Sequence, residues 1–186
     1  MDIHLHHETL GTLDDWVDTA LAGADPDRTG VIVARALGHT REGVAASVLT
    51  FLPSSSGPQD FAVVETQLGT DPGPARFVQL TRFEGPRSAE WVEAEERATR
   101  ERVWPAVQGV PGFVAAFRCR AVDGDTLSIV LATSVEALQE GGRRIRATEL
   151  LPGEDPAMLT GPDRVEILQL HHIELPQSAS ATAEVA

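Results

Sequence analysis

Histidine side chains near both ends of the chain are the first candidates for chemistry. His4 and His6 alternate with apolar residues on a predicted first strand and share one face of it with Glu8, while His171 lies on the predicted last strand. An imidazole that titrates near neutral pH could abstract a proton from a phenol or from a β-dicarbonyl carbon. The same residues suit a metal site, with His4 and His6 as two ligands and Glu8 or His171 as the third. A third interpretation is structural, with hydrogen-bonded or exposed strand histidines.

The elements that would position these side chains follow from the hydrophobic pattern. Alternating apolar residues predict strands over residues 3–10, 31–37, 44–52, 61–67, 77–83, 112–120, 126–133 and 165–175. Helices are predicted over residues 13–22, 88–107 and 135–146, the last two capped by Ser88 and Ser134. Pro105 is expected to kink or end the second helix. The fold class is therefore α+β.

The order of these elements occurs twice along the chain. Residues 2–17 align without a gap with residues 77–92, which sets Trp16 on Trp91, and residues 30–34 fall on residues 112–116. No first-half segment matches the helix over residues 135–146, so the first copy is expected to have lost or shortened it. We predict an N-terminal divergent repeat over residues 1–69, a linker over 70–75, a C-terminal repeat over 76–175 and a disordered tail over 176–186.

Composition excludes several classes of function. The 186 residues carry a formal charge of -13 and contain no Lys, no Tyr and no Asn. An acidic chain is a poor match for nucleic acid or for an anionic membrane surface, and without Lys there is no Schiff base and no Walker loop. The lack of these three residue types, with much Ala, Gly, Asp and Glu, is typical of codon bias in a GC-rich bacterial genome. A single cysteine and the lack of a signal sequence or an apolar span predict a cytoplasmic protein.

The packing and turn motifs of the second half resemble a known superfamily. They are the helix end at Arg102-Val103-Trp104-Pro105, the run Val110-Pro111-Gly112-Phe113-Val114, an Asp-Gly turn, and the run over residues 133–138. The second copy resembles the antibiotic-biosynthesis monooxygenase superfamily, and the whole chain resembles a fused pair of ferredoxin-like βαββαβ units that form an intramolecular dimeric α+β barrel. The resemblance covers residues 77–175 directly and residues 2–67 through the internal repeat. It implies sheets that face each other, and relatives that include cofactor-free oxygenases, polyketide cyclases and haem-degrading enzymes.

Strand alternation then assigns side chains to a cavity between the two sheets. Val78 and Leu80 are expected to meet the helices, which leaves the opposite face of each strand for the cavity. The residues assigned to that face are Phe77, Gln79, Thr81, Phe83, His4, His6, Glu8, Gln169 and His171. Arg118 lies on a strand whose facing is open, and an inward Arg there could hold a substrate carboxylate or phenolate in a bidentate contact.

Other reactive or aromatic side chains fit structural roles better. Trp91 and Trp104 are expected to pack in the core, as is Trp16, and Cys119 is expected to be a small core residue. The run of charged residues in the long helix is predicted to be a solvated face; it comprises Glu93, Glu95, Glu96, Arg97, Arg100 and Arg102.

These observations predict a small-molecule enzyme of polyketide or aromatic metabolism. It would act as a cofactor-free monooxygenase or a cyclase on an apolar aromatic substrate, with His4, His6 and His171 as proton-transfer groups. The predicted substrate-binding residues are Glu8, Gln79, Thr81, Phe83, Gln169 and Arg118. The alternatives are a non-catalytic ligand-binding barrel and a protein that binds a transition metal or haem through the histidines. Either a monomer or a homodimer is compatible with the sequence.

Overall fold

The structure is a computed structural model that describes residues 1–10, 21–22, 28, 30–36, 44–52, 60–70 and 73–175. For residues 2, 6–10, 36, 44–46 and 60 it describes the backbone alone. The predicted helix over residues 13–22 lies outside the described residues except for Leu21 and Ala22, which are helical. Trp16, the segment between the third and fourth strands, and the predicted disordered tail also lie outside them.

Eight antiparallel strands form a closed barrel, which confirms the predicted α+β class. They are β1 (Asp2–Leu10), β2 (Gly30–Ala36), β3 (Val44–Leu52), β4 (Asp60–Leu68), β5 (Phe77–Phe83), β6 (Phe113–Ala121), β7 (Thr126–Ala132) and β8 (Arg164–Glu174). The order around the barrel is β1-β3-β2-β8-β5-β7-β6-β4, with β4 also pairing with β1. The first four strands thus follow the order β4-β1-β3-β2, and the last four follow the equivalent order β8-β5-β7-β6. The two halves join along β2–β8 and along β4–β6.

Helices cover the outer face of the second half. Helix α1 (Ala89–Ala98) continues through a π-helical segment (Thr99–Val103) into α2 (Trp104–Gln108), and α3 (Val135–Ala147) follows β7. Both predicted caps are present: Ser88 Oγ accepts the N–H of Trp91, and Ser134 Oγ accepts that of Ala137. Pro105 neither ends nor breaks the helix, because it sits in the first turn of α2, where its missing N–H is tolerated.

The lumen of the barrel is filled by packed apolar side chains from both halves. Ile3, Leu49 and Phe51 of the first half meet Val78 and Phe117 of the second, and each of these five is fully buried. The rings of Phe51 and Phe117 pack edge to face with their centroids 5.6 Å apart. Cys119 also lies in this core, as predicted, and burial raises the pKa of its thiol far above the usual range. One continuous core therefore holds the two halves together.

The predicted Asp-Gly turn joins β6 to β7 and is fixed by Asp125. Gly124 takes a φ of 95°, a conformation that favours glycine. Asp125 accepts hydrogen bonds from the backbone N–H of Gly85 at 2.7 Å and from Arg82 Nε at 2.9 Å. Burial raises the pKa of Asp125, but these bonds and the charge of Arg82 outweigh it and hold the pKa below its ordinary value. In the part of the chain that the structure describes, no helix is long and apolar enough to cross a membrane.

Candidate functional site

A cavity of about 580 Å³ lies between the outer face of β5–β8 and the helices that cover it. Its floor is the sheet, its walls are α1, the π-helical segment, α2 and α3, and the connection between α3 and β8 contributes Met158, Leu159, Thr160 and Pro162. The volume falls within the range typical of small-molecule sites, roughly 300–1,000 Å³. This cavity is therefore the candidate functional site.

The cavity lies on the face opposite to the one predicted. Strand alternation predicts that Val78 and Leu80 face the helices, but both are buried in the barrel lumen. Gln79, Thr81 and Phe83 therefore face the helices and line the cavity. These three residues line one cavity, but this cavity lies between the sheet and the helices and not between the two sheets as predicted. The reason is physical: the more apolar face of each strand fills the shared barrel core, and helices cover the mixed face.

A row of polar side chains crosses the floor of the cavity. Thr81 on β5 pairs with Ser128 on β7, Ser128 pairs with Arg118 on β6, and Arg118 pairs with Glu65 on β4. Glu65 lies beyond the cavity lining, and with neighbouring strands about 4.8 Å apart the part of the row from Thr81 to Arg118 is about 10 Å long. Gln79 adds to it by donating to Thr81 Oγ1 at 3.1 Å. The floor thus carries hydrogen-bonding groups along one line.

Arg118, at the end of this row in the cavity, belongs to a buried network of charged side chains. Its side chain is only 6% exposed; Nε donates to Glu65 at 3.2 Å and Nη1 to Glu95 at 3.0 Å. Trp104 Nε1 donates to the other oxygen of Glu65 at 2.7 Å, and Thr99 Oγ1 donates to Glu95 at 3.0 Å. A buried Arg requires such partners because an unpaired charge in this environment would cost several kcal/mol. The network fixes the polar end of the cavity.

The helices supply the apolar part of the cavity together with two indole rings. Trp91 and Trp104 are each 8% exposed and both line the cavity, so they are packed residues and cavity walls at once. Trp91 packs against Phe83 at a ring distance of 5.9 Å. On the opposite wall, Gly141 of α3 is buried and lies against the cavity next to Leu138. The π-helical segment also lines the cavity, and such segments often occur at functional sites.

An ion pair fastens the connection between α3 and β8, which contributes residues to the cavity lining. Arg102, from the π-helical segment, pairs with Glu154 at 3.2 Å, and the two side chains are 11% and 3% exposed. Arg102 Nη1 also donates to Thr148 Oγ1 at 3.0 Å. Glu154 in turn accepts the backbone N–H of Leu151 at 2.7 Å. The connection over residues 148–163 is therefore tied to the helix that bears the cavity wall.

The three histidines predicted to be proton-transfer groups are not among the described residues that line the cavity. His4 is on β1 between Ile3 and Leu5, which both contact the lumen core, so its side chain points to the outer surface of the barrel. His171 is exposed and sits at a bulge in β8. Strands β3 and β2 separate β1 from β8, a distance of at least about 14 Å. The predicted convergence of His4, His6 and His171 does not occur in this topology, and their catalytic roles stay predictions.

The remaining predicted site residues divide between the cavity and other places. Arg118 lines the cavity. Gln169 instead accepts a hydrogen bond from Arg35 Nη2 at 2.9 Å, along the β2–β8 junction. His6 and Glu8 are paired in register with Val48 and Ala46 on β3. Partial burial and the nearby charge of Arg35 lower the pKa of His171.

The sequence prediction missed the acidic residues of the site. Glu95 was expected on a solvated helix face, but its side chain is 18% exposed and lines the cavity. The signal was present in the helical spacing, because Trp91, Glu95 and Thr99 follow at intervals of four and therefore share one face. Glu65 carried no such signal, since only the β4–β6 pairing brings it to Arg118.

Metal-binding residues are sparse around this cavity. Among the described residues, no group of three or more His, Cys, Asp or Glu is arranged to hold a metal ion. The described cavity lining contains neither His nor Cys. The site thus offers hydrogen bonds and paired charges in an apolar enclosure.

Solved structures share this fold across nearly their whole length. An uncharacterized ferredoxin-fold protein related to antibiotic biosynthesis monooxygenases, from Listeria monocytogenes, matches with a TM-score of 0.60 and 10% identity, over 92% of this chain and 94% of its own. The heme-degrading enzyme LmHde of Listeria monocytogenes matches with a TM-score of 0.53 and 11% identity, over 91% and 99%. A major regulator of staphylococcal pathogenesis matches with a TM-score of 0.58 and 10% identity, over 92% and 98%.

These neighbours confirm the resemblance to antibiotic-biosynthesis monooxygenase-like ferredoxin-fold proteins at the level of the fold. No family model matches the sequence, and no curated protein matches it. The alignments span both halves of the barrel. Similarity at this level of identity describes architecture, so function has to be argued from the cavity.

Proposed function

We propose that this protein is a small-molecule enzyme of polyketide or aromatic metabolism, acting as a monooxygenase or a cyclase on a substrate held in the cavity between sheet and helices. The observation that carries the proposal is the cavity of about 580 Å³, with apolar walls and a polar row on its floor. A flat apolar molecule with hydroxyl or carbonyl groups along one edge matches that distribution. Its rings would contact Trp91 and Leu138, and its oxygens would meet Thr81, Ser128 and Arg118.

The neighbouring structures support this choice of substrate class. One is described as related to antibiotic biosynthesis monooxygenases, and another is described as a heme-degrading enzyme. Both descriptions are of proteins with nearly the same extent as this chain. The proposal extends them to a chain whose cavity has the size and polarity for a fused-ring ligand.

Haem itself fits this cavity poorly. Iron in haem is commonly held by His or Cys, and the described residues that line the cavity include neither. His4 on β1 and His171 on β8 lie on other parts of the barrel surface. We therefore assign no step to haem or to a transition metal, and the proposed chemistry rests on the side chains of the cavity.

We also propose that the barrel arose from two fused ferredoxin-like units. The matching strand orders of the two halves support this origin, as does the alignment of residues 2–17 with residues 77–92. The units would span residues 1–69 and 76–175. Because both sheets belong to one chain, the barrel closes without a second copy, and a monomer suffices for the proposed site.

A second candidate is ligand binding without turnover. It is favoured by the pairing of the charged groups in the cavity: Arg118 is held by Glu65 and Glu95, and Arg102 is held by Glu154. Groups paired in this way can hold the polar part of a ligand in place whether or not the ligand reacts. The two candidates share the cavity and differ only in whether the ligand is changed.

Hydroxylated polycyclic aromatics provide the test. Binding to the purified protein would be followed by tryptophan fluorescence, and turnover by oxygen consumption and by mass analysis of products. Val130→Phe fills the floor of the cavity, whereas Val64→Phe adds the same ring at a half-exposed position outside it. We expect wild type and Val64→Phe to bind and convert ligand, and Val130→Phe to lose both. Binding without conversion establishes the second candidate. Equal binding by all three proteins refutes the assignment of the cavity as the ligand-binding site.

A further inference from the structure

Glu95 is the only carboxylate among the described residues that line the cavity. One carboxylate oxygen accepts a hydrogen bond from Thr99 Oγ1 at 3.0 Å, and the other is 3.0 Å from Arg118 Nη1. The hydroxyl and the guanidinium thus fix the orientation of the carboxylate. A carboxylate held in this way at a cavity wall is a defined proton acceptor.

The local charge shows which ligands would suit this end of the cavity. Arg118 contacts Glu65, Glu95 and, at 3.7 Å, Glu96, while Arg120 contacts Glu96 at 3.0 Å. Three carboxylates thus face two guanidinium groups, which leaves one negative charge in excess in the cluster. A ligand carboxylate would have to compete with groups already paired to Arg118 and would be repelled by the excess charge. A neutral hydroxyl group meets no such barrier, since it can donate a hydrogen bond to Glu95.

We infer that the cavity recognises a neutral phenol or enol, that Glu95 accepts its proton, and that Arg118 is a positioning residue for the resulting oxyanion. The inference rests on the proposed function and names the substrate class of that same site. In the step, the ligand O–H bond breaks, an O–H bond forms on Glu95, and the electron pair stays on the ligand oxygen. The negative charge moves from Glu95 to the ligand, so Arg118 keeps an anionic partner throughout.

Helix α1 places the carboxylate of Glu95 at the cavity. Glu95 is one turn beyond Trp91 and one turn before Thr99 on the same face, so the proton acceptor, an indole wall and the hydroxyl that orients the acceptor enter the cavity together. Glu96, the next residue, pairs with Arg120 at 3.0 Å, reaches Arg118 at 3.7 Å, and does not line the cavity. The pair Glu95 and Glu96 therefore offers a matched comparison within the same turn.

The test uses 4-nitro-1-naphthol, whose ionised form absorbs in the visible, at a pH acidic enough that the free naphthol is neutral in solution, together with its methyl ether, which has no proton to give. We expect wild type and Glu96→Gln to bind the naphthol as the naphtholate and to prefer it over the ether by about tenfold or more. Glu95→Gln is expected to bind the naphthol in its neutral form and to lose that preference. Arg118→Gln is expected to lose the naphtholate band, and Arg118→Lys to restore it at least in part.

The outcomes separate this inference from the proposed function. Binding of neither probe by wild type refutes the proposed function and the inference with it. Binding in which Glu95→Gln retains the naphtholate band, or in which Glu96→Gln loses it equally, overturns the inference alone. If circular dichroism shows that Glu95→Gln does not fold, Glu95→Asp supplies the comparison, because its shorter side chain withdraws the carboxylate. Undiminished discrimination against the ether by Glu95→Asp overturns the inference.

Discussion

Gly141 tests whether the cavity is a space kept for a ligand. It lies in the middle of α3, where glycine is about 0.8–1.0 kcal/mol less favourable than alanine. A Cβ at this position would meet Val107 Cγ1 at 3.7 Å, an ordinary contact, so nothing among the described residues requires glycine for packing. Gly141→Ala should therefore stabilise the protein by about 1 kcal/mol and raise Tm by about 2–4 °C.

The same substitution should impair ligand binding, because Gly141 lines the cavity. An added methyl group in a filled space costs about 1–3 kcal/mol, which corresponds to a loss of affinity of about fivefold to more than a hundredfold. Gly141→Leu should abolish binding of the same ligand. The assay pairs thermal unfolding with fluorescence titration, and Gly161→Ala, exposed and outside the cavity, is the control. A lower Tm for Gly141→Ala, or unchanged affinity for Gly141→Leu, would refute the reasoning.

Three further predictions concern stability and reactivity. Glu154→Ala breaks the buried pair with Arg102, so we expect a loss of about 3–5 kcal/mol in denaturant unfolding and faster proteolysis within residues 148–163; unchanged cleavage would contradict this. The pKa of Asp125 is lowered in the folded state, so its contribution is complete above the unfolded pKa of about 3.9 and is lost as pH falls through the lower folded pKa. Asp125→Asn should thus be destabilised at pH 7 and approach wild type in acid, as measured by urea midpoints against pH. Cys119 should react with a thiol reagent only on unfolding, because it is buried and its pKa is raised; rapid labelling of the native protein would count against the packed lumen.

Strand alternation predicted which residues share a face, and it could not decide which face the helices cover. Gln79, Thr81 and Phe83 were grouped correctly because side chains alternate along any strand. One face of β5 is buried in the lumen and the other is half-buried under the helices, so the contrast between a solvent-exposed face and a buried face was weak. A comparison of the two faces of β6 would have shown which face points into the lumen. Arg118 alternates with Phe117 and Cys119, and the more apolar face is the one that packs in a core shared by both halves.

The candidate site depended on contacts distant in sequence. Glu65 and Glu95 are brought to Arg118 by strand pairing and by helix docking, and neither contact leaves a local pattern in the chain. The histidines were prominent in sequence because His4 and His6 alternate, yet an alternating pair says nothing of which strands flank it. Chain order does not fix strand order, which is why His171 was expected near the N-terminal strand.

The closed barrel also constrains how the chain can be made. Strand β8 comes last of the eight in chain order and inserts between β2 of the first half and β5 of the second. During synthesis on a ribosome, the seven earlier strands would emerge with β2 and β5 as open edges, and open edges are sites of wrong pairing between chains. The barrel can close only once residues 164–174 have left the ribosome. A slow or truncated final stretch of translation would therefore harm this protein more than a pause between its two halves.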